Sequence, residues 1–180
     1  VTYNVGNTHF SREYFVSNPD QLFMIKLNAH GKESLNLEIK NKSQLRYSVD
    51  YQDYKIIFKG LAPIHAEPNY RWNIENPIVY DEEKGMRFEV ISEIKLKEGN
   101  IEKTDSSLQI SNTKSAEIRV SIATSFNGFD KSPGTEGKDE SDLANLFLAK
   151  AKDKKYEVLK KDHVADFQSL FNRLVLDLGD

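Results

Sequence analysis

The chain has 180 residues, 38% of them hydrophobic and 29% charged, which excludes intrinsic disorder and leaves room for one large domain or two small ones. Lys and Arg number 25 against 28 Asp and Glu, a net charge of −3, which argues against a general nucleic-acid binder, since that would show a basic excess. No apolar run approaches the ~20 residues of a membrane span, and with no cysteine there is no disulfide framework, thiolate zinc site or cysteine nucleophile.

Val1–Val5 alternates as a strand from the first residue, with no Met or leader ahead of it. The expectation is an excised piece of a longer protein, with any signal region upstream. His9–Val16 reads as the next strand and stops at the turn cluster Ser17-Asn18-Pro19-Asp20. Gln21–Ala29 alternates imperfectly and turns at His30-Gly31-Lys32. Leu35, Leu37 and Ile39 are spaced by two and so share one face, as do Leu45, Tyr47, Val49 and Tyr51. Lys55–Lys59 ends at Gly60. After a long loop, Met86, Phe88 and Val90 lead to Ile94 and Leu96, with a phase slip at Ile91-Ser92-Glu93 that reads as a bulge. Leu108–Ile110 and Ala116–Ala123 follow, the latter with Ile118, Val120 and Ile122 on one face. Short strands broken by turns predict a two-sheet antiparallel β-sandwich over 1–138, with these period-two faces as core.

The period then changes. Asp139 can cap a helix whose first turn carries Glu140 and Asp142. Leu143, Ala144, Phe147, Leu148 and Ala151, then Tyr156, Leu159, His163, Phe167, Leu170 and Phe171, recur at helical spacing. This predicts a helical connection over 139–172 with a break near Asp153-Lys154. Leu174, Leu176 and Leu178 switch back to period two, predicting a returning strand within 173–180.

Two segments are not generic. The stretch from Gly60 to Gly85 is unusually long for a loop in a compact domain and carries His65, Glu67, Asn69, Tyr70 and Trp72. The other, Thr124–Gly134, lies at a strand end and carries Phe126, Asn127, Phe129 and Asp130. Aromatic faces with polar neighbours suit a sugar contact, but equally suit packing under a loop or against a neighbouring domain. Asp81, Glu82, Glu83 and Asp130 invite comparison with inverting glycosidases, whose two carboxyl groups stand roughly 6.5–9.5 Å apart; Asp81–Gly85 reads better as a solvated turn. His9, His30, His65 and His163 have no metal-ligand spacing, so no metal site is expected. Ser125 has no nucleophile-elbow glycines, and no phosphate loop is present. No catalytic residue and no cofactor are assigned.

Several of these motifs stand together in order. Ser11-Arg12-Glu13-Tyr14-Phe15-Val16-Ser17 with Pro19-Asp20-Gln21, Pro77–Asp81 leading to Lys84–Phe88, Ala123–Asp130, and Leu159–Leu178 with His163, Asp166-Phe167 and Leu176-Asp177-Leu178-Gly179 together resemble glycoside hydrolase family 95, the α-L-fucosidases. The resemblance implies an amino-terminal super-β-sandwich joined by a helical linker to an (α/α)6-barrel catalytic domain. In that family a Glu general acid and an Asn-assisted, Asp-linked water lie in the barrel and invert the anomeric centre; nothing here matches those positions, and the barrel is absent. The implied partners are the protein's own barrel and a fucosylated glycan, with no nucleic acid. The implied location is secreted or periplasmic. The expected function is a non-catalytic domain that packs on and shapes the barrel, with an independent carbohydrate-binding module as the alternative and a self-contained hydrolase behind both.

Overall fold

A computed structural model describes residues 1–71 and 73–179. Its strands are β1 (Thr2–Val5), β2 (Thr8–Ser17), β3 (Leu22–His30), β4 (Leu35–Ile39), β5 (Arg46–Gln52) and β6 (Lys55–Leu61). There follow β7 (His65–Ala66), β8 (Ile78–Val79), β9 (Arg87–Leu96), β10 (Asn100–Lys103), β11 (Leu108–Thr113) and β12 (Ser115–Thr124), then helices α1 (Glu140–Lys150) and α2 (Tyr156–Phe171). The main sheet has seven strands in the order β1-β2-β3-β12-β9-β6-β5, the second has three, β10-β11-β4, and β7 pairs with β8 alone. Every pairing is antiparallel, so the predicted mainly-β sandwich with a helical segment is the fold.

Both faces of the main sheet carry core. On one, Ile56, Ile94, Ile118 and Val120 meet Leu108, Ile110, Leu37 and Ile39 of the second sheet. On the other, Leu22, Met24, Ile91 and Ala123 meet Ala144 and Leu148 of α1, Ala151, and Tyr156 and Leu159 of α2. This double cover corrects one expectation. There is no bulge at Ile91–Glu93: the β9–β12 ladder runs unbroken from Phe88↔Thr124 to Leu96↔Ala116. Ile91 faces the helices and Ile94 faces the second sheet, and apolar residues on both faces imitate a slip of register.

Other expectations are met in part. Asp139 caps α1, its side chain accepting from the Asp142 amide at 2.8 Å, and the helix breaks before α2 as predicted. Of the faces assigned to core, Leu35, Ile118 and Val120 are buried, but Tyr47 and Ile122 are exposed, because the second sheet covers only part of the main one. The helical stripe is core at Ala144, Leu148 and Ala151, but along α2 only at Tyr156 and Leu159; Phe167, Leu170 and Phe171 are exposed. Leu174–Leu178, predicted as a returning strand, pairs with no strand among the described residues. Alternation supplies a face, not a partner.

A buried polar cluster fixes the helices to the sheet. Arg119 donates from Nε to Glu117 Oε1 at 2.7 Å, from Nη2 to the Lys154 carbonyl at 2.8 Å and from Nη1 to the Ala151 carbonyl. Lys154 reaches Asp20 at 2.6 Å and Asp162 at 3.3 Å. Nearby, Tyr156 Oη donates to Glu13 Oε2 at 2.6 Å, and Lys160 Nζ donates to the same oxygen at 2.9 Å.

The hydrogen bond from Tyr156, then that from Lys160, holds the Glu13 carboxyl below its ordinary value; burial, then the Glu13 bond, pushes the Tyr156 phenol up. A carboxylate lowered by folding contributes stability that is fully present above its unfolded pKa, about 4.3, and is lost as pH falls through the folded value. Thermal melts taken from about pH 4.3 down through the lower folded value will therefore show a shallower pH dependence in Glu13→Gln than in the parent chain. Parallel slopes would mean that α2 docking does not titrate through Glu13.

Candidate functional site

Arg87, at the start of β9, ties the Thr124–Gly134 segment into the fold. Its amide donates to Ser125 Oγ at 3.0 Å and its carbonyl accepts from the Ser125 amide at 2.9 Å. Its guanidinium reaches Glu140 of α1 at 3.0 Å and the Gly134 carbonyl at 2.7 Å. Ser125 is fully buried and its carbonyl accepts from the Lys138 amide at 3.0 Å, so the excursion between them is pinned at its base. Within it, Asn127 Nδ2 donates to the Glu136 carbonyl at 2.9 Å, and the Ser132 amide donates to Glu136 Oε2 at 3.2 Å. Gly128 has φ +114°, a left-handed value that L side chains rarely adopt. The tip that this closes presents Phe126 at 54% and Phe129 at 100% exposure, with Asp130 exposed beside them.

The other excursion is braced by the β7–β8 pair, His65↔Val79 and Ala66↔Ile78. Glu67 is clamped on both carboxylate oxygens: His65 Nε2 lies 2.9 Å from Oε1 and Arg71 Nη1 lies 3.1 Å from Oε2. The Glu67 amide donates to the Pro77 carbonyl at 2.7 Å. Asn69 is exposed, and Tyr70 is 73% exposed. Trp72 lies outside the described residues. Asp81 accepts from the Glu83 amide at 2.9 Å and stands 3.8 Å from Lys84, the self-bonded solvated turn read from its composition.

The two excursions touch at their bases. Gly134 lies so close to Glu83 that a Cβ there would sit 1.9 Å from the Glu83 carbonyl oxygen. Among the described residues no hydrogen bond or ion pair joins His65–Tyr70 to Phe126–Asp130, and no group of three or more His, Asp or Glu is gathered as metal ligands. What the arrangement offers chemically is a partly aromatic rim: an ion-paired Glu67 carboxylate, the exposed rings of Tyr70, Phe126 and Phe129, and the exposed Asn69. Exposed rings beside polar groups suit it to contact.

Sequence reading missed the charged residues that hold this rim. Arg87 and Glu140 are single charges in ordinary patterns, and Glu89, buried beside Lys59 at 3.1 Å and the Ser141 hydroxyl, looks like a solvent-face residue of β9. Only the helix packed over that face, which no local pattern announces, buries Glu89 and half-buries Arg87 and Glu140.

The family model described as "Glycosyl hydrolase family 65, N-terminal domain" matches residues 1–128. The chain is also similar to alpha-L-fucosidase 2 of Arabidopsis thaliana, at 28% identity over 185 aligned residues. That match takes in 99% of this chain but 22% of the relative. The matching description names family 65 where the motifs resemble family 95, and the relative is itself called a fucosidase, as the motifs imply.

Proposed function

Because the chain belongs to the family of glycosyl hydrolase family 65 N-terminal domains, we propose that it is the non-catalytic β-sandwich domain of a larger, fucosidase-like glycoside hydrolase. It packs on a catalytic domain and shapes the approach to it, and the whole enzyme cleaves α-L-fucosyl linkages with inversion, in a secreted or periplasmic setting. The observation that carries this reading is the span of the match: nearly all of this chain, in one alignment, against about a fifth of a fucosidase. The exposed rings of Tyr70, Phe126 and Phe129 support a contact role for the two rims, since apolar side chains held out on pinned loops mark interfaces. An independent carbohydrate-binding module has no comparable support, as neither match carries such a description.

The test is release of an aryl alcohol from an aryl α-L-fucoside. The longer protein carrying this chain will release it and the 180-residue chain will not. In the longer protein Phe129→Ala will lower the specificity constant or the melting temperature, while the same change leaves the melting temperature of this chain alone unchanged. Turnover by the chain itself, lost on Glu67→Gln or Asp130→Asn, would refute the reading.

A further inference from the structure

Asn127-Gly128 is the one place in the chain where an asparagine precedes a glycine. The main-chain nitrogen after an asparagine can attack that residue's side-chain amide carbon. Every other asparagine is followed by a residue whose side chain crowds this nitrogen or, at Asn18 and Asn76, by a proline that has no N–H to give up. Gly128 has no Cβ to crowd it. Its φ is +114°, and among the described residues its amide donates to no acceptor. The nucleophile is therefore unencumbered.

The group it would attack is restrained. Asn127 is half-buried, and its Nδ2 donates to the Glu136 carbonyl at 2.9 Å. Glu136 is fixed in turn: its amide donates to the Ser132 carbonyl at 2.8 Å, and its Oε2 accepts from the Ser132 amide at 3.2 Å. The base of the excursion is closed by the bond from Lys138 to Ser125 at 3.0 Å. Cyclisation must carry Cγ from non-bonded contact onto the Gly128 nitrogen and expel Nδ2, so the bond that anchors Nδ2 opposes it.

We propose that Asn127-Gly128 is a site of spontaneous deamidation that the fold holds shut, and that its conversion frees the Phe126–Phe129 tip. The Gly128 nitrogen loses its proton and bonds to Asn127 Cγ; the Cγ–Nδ2 bond breaks, and the amide leaves as ammonia carrying that proton. Water then opens the cyclic imide at either carbonyl, leaving aspartate or isoaspartate at position 127 with a new negative charge. The product has no N–H for Glu136: a carboxylate oxygen faces the carbonyl oxygen instead, in a loop that already holds the carboxylates of Asp130 and Glu136. Isoaspartate also lengthens the main chain by a methylene beside the left-handed Gly128. The chemistry needs water alone, and holds whether or not the rim meets another domain.

The test keeps the chain at neutral pH, folded or unfolded in guanidinium chloride, and follows the tryptic peptide Val120–Lys131 by mass, with isoaspartyl methyltransferase labelling as a second readout. In the unfolded chain this peptide will convert before any other that contains asparagine. Folding will slow it by about tenfold or more, because reaction waits on local opening. Gly134→Ala, which loosens the excursion without touching Asn127, will speed it by about threefold or more in the folded chain. Asn127→Asp, the product made directly, will quicken amide exchange across residues 127–138 while β12 stays protected. Equal rates folded and unfolded, another asparagine converting first in the unfolded chain, or a Gly134→Ala rate no faster than the parent's would overturn the guarded site. Exchange in Asn127→Asp that matches the parent would overturn the release of the tip.

Discussion

Replacing Arg119 with Ala will destabilise the chain by about 3–5 kcal/mol, the cost of breaking a buried charge pair from one side. Arg119 is 2% exposed, and three different groups depend on it. Glu117 loses the partner at 2.7 Å and keeps only Lys26 at 3.7 Å. The Lys154 carbonyl, at the junction between α1 and α2, loses the guanidinium donor, and the Ala151 carbonyl keeps the Lys154 amide at 3.1 Å; an acceptor left unpaired away from water costs its desolvation. Urea unfolding of the single variant and of Arg119→Leu/Glu117→Leu separates these contributions. The double variant removes the buried charges together, and will recover a substantial part of the loss. A double variant no more stable than Arg119→Ala would mean that capping the helix junction, rather than neutralising Glu117, is the main task of the guanidinium.

Gly134→Ala will cost about 1–3 kcal/mol, the range for forcing atoms into filled space. The obstacle is main chain, with Glu83 O and Glu83 C at 1.9 and 2.2 Å from the added Cβ, so no rotamer change relieves it. The 132–134 turn must move off the 83–84 turn, and the bond from Arg87 to the Gly134 carbonyl stretches with it. Amide exchange will quicken around Asn127–Lys138 before it does in β12, because the excursion opens while the sheet holds. Exchange that quickens evenly across both would show that the loop and the sheet unfold as one unit.

The sandwich was legible because its strands are amphipathic: Leu35-Leu37-Ile39 and Ile118-Val120 alternate as half-buried strands must, and Asp139 announces α1. Burial on the helix-covered face was not. Glu117, Arg119 and Ser121 alternate with the apolar residues of β12 and so read as a wet face, yet all three are buried. Period two reports two faces and cannot say that a layer 30 residues downstream will cover the polar one. Ile122 and Tyr47 err the other way, apolar by pattern and exposed in fact, because the pattern does not reveal how far a covering sheet extends. Of the candidate site residues, the sequence located the two excursions through their aromatic and Asn content. It could not find Arg87, whose role lies in bonds to residues 38 to 53 positions away.

The strand order also sets a timetable. β12 sits at the centre of the main sheet, yet it is the last of the strands to be synthesised, with β3 and β9 as its neighbours. Until residue 124 has emerged, the β1–β3 portion and the β5–β6–β9 portion have no hydrogen-bonded connection. Each presents an open edge, β3 on one side and β9 on the other. Closing the sheet then requires partners such as Ile118 and Ile25 to meet across 93 residues, the kind of non-local pairing that slows folding. A nascent chain therefore passes through a stage with two unsatisfied edges in view, the state from which β-proteins aggregate, and pausing translation before β12 would prolong it.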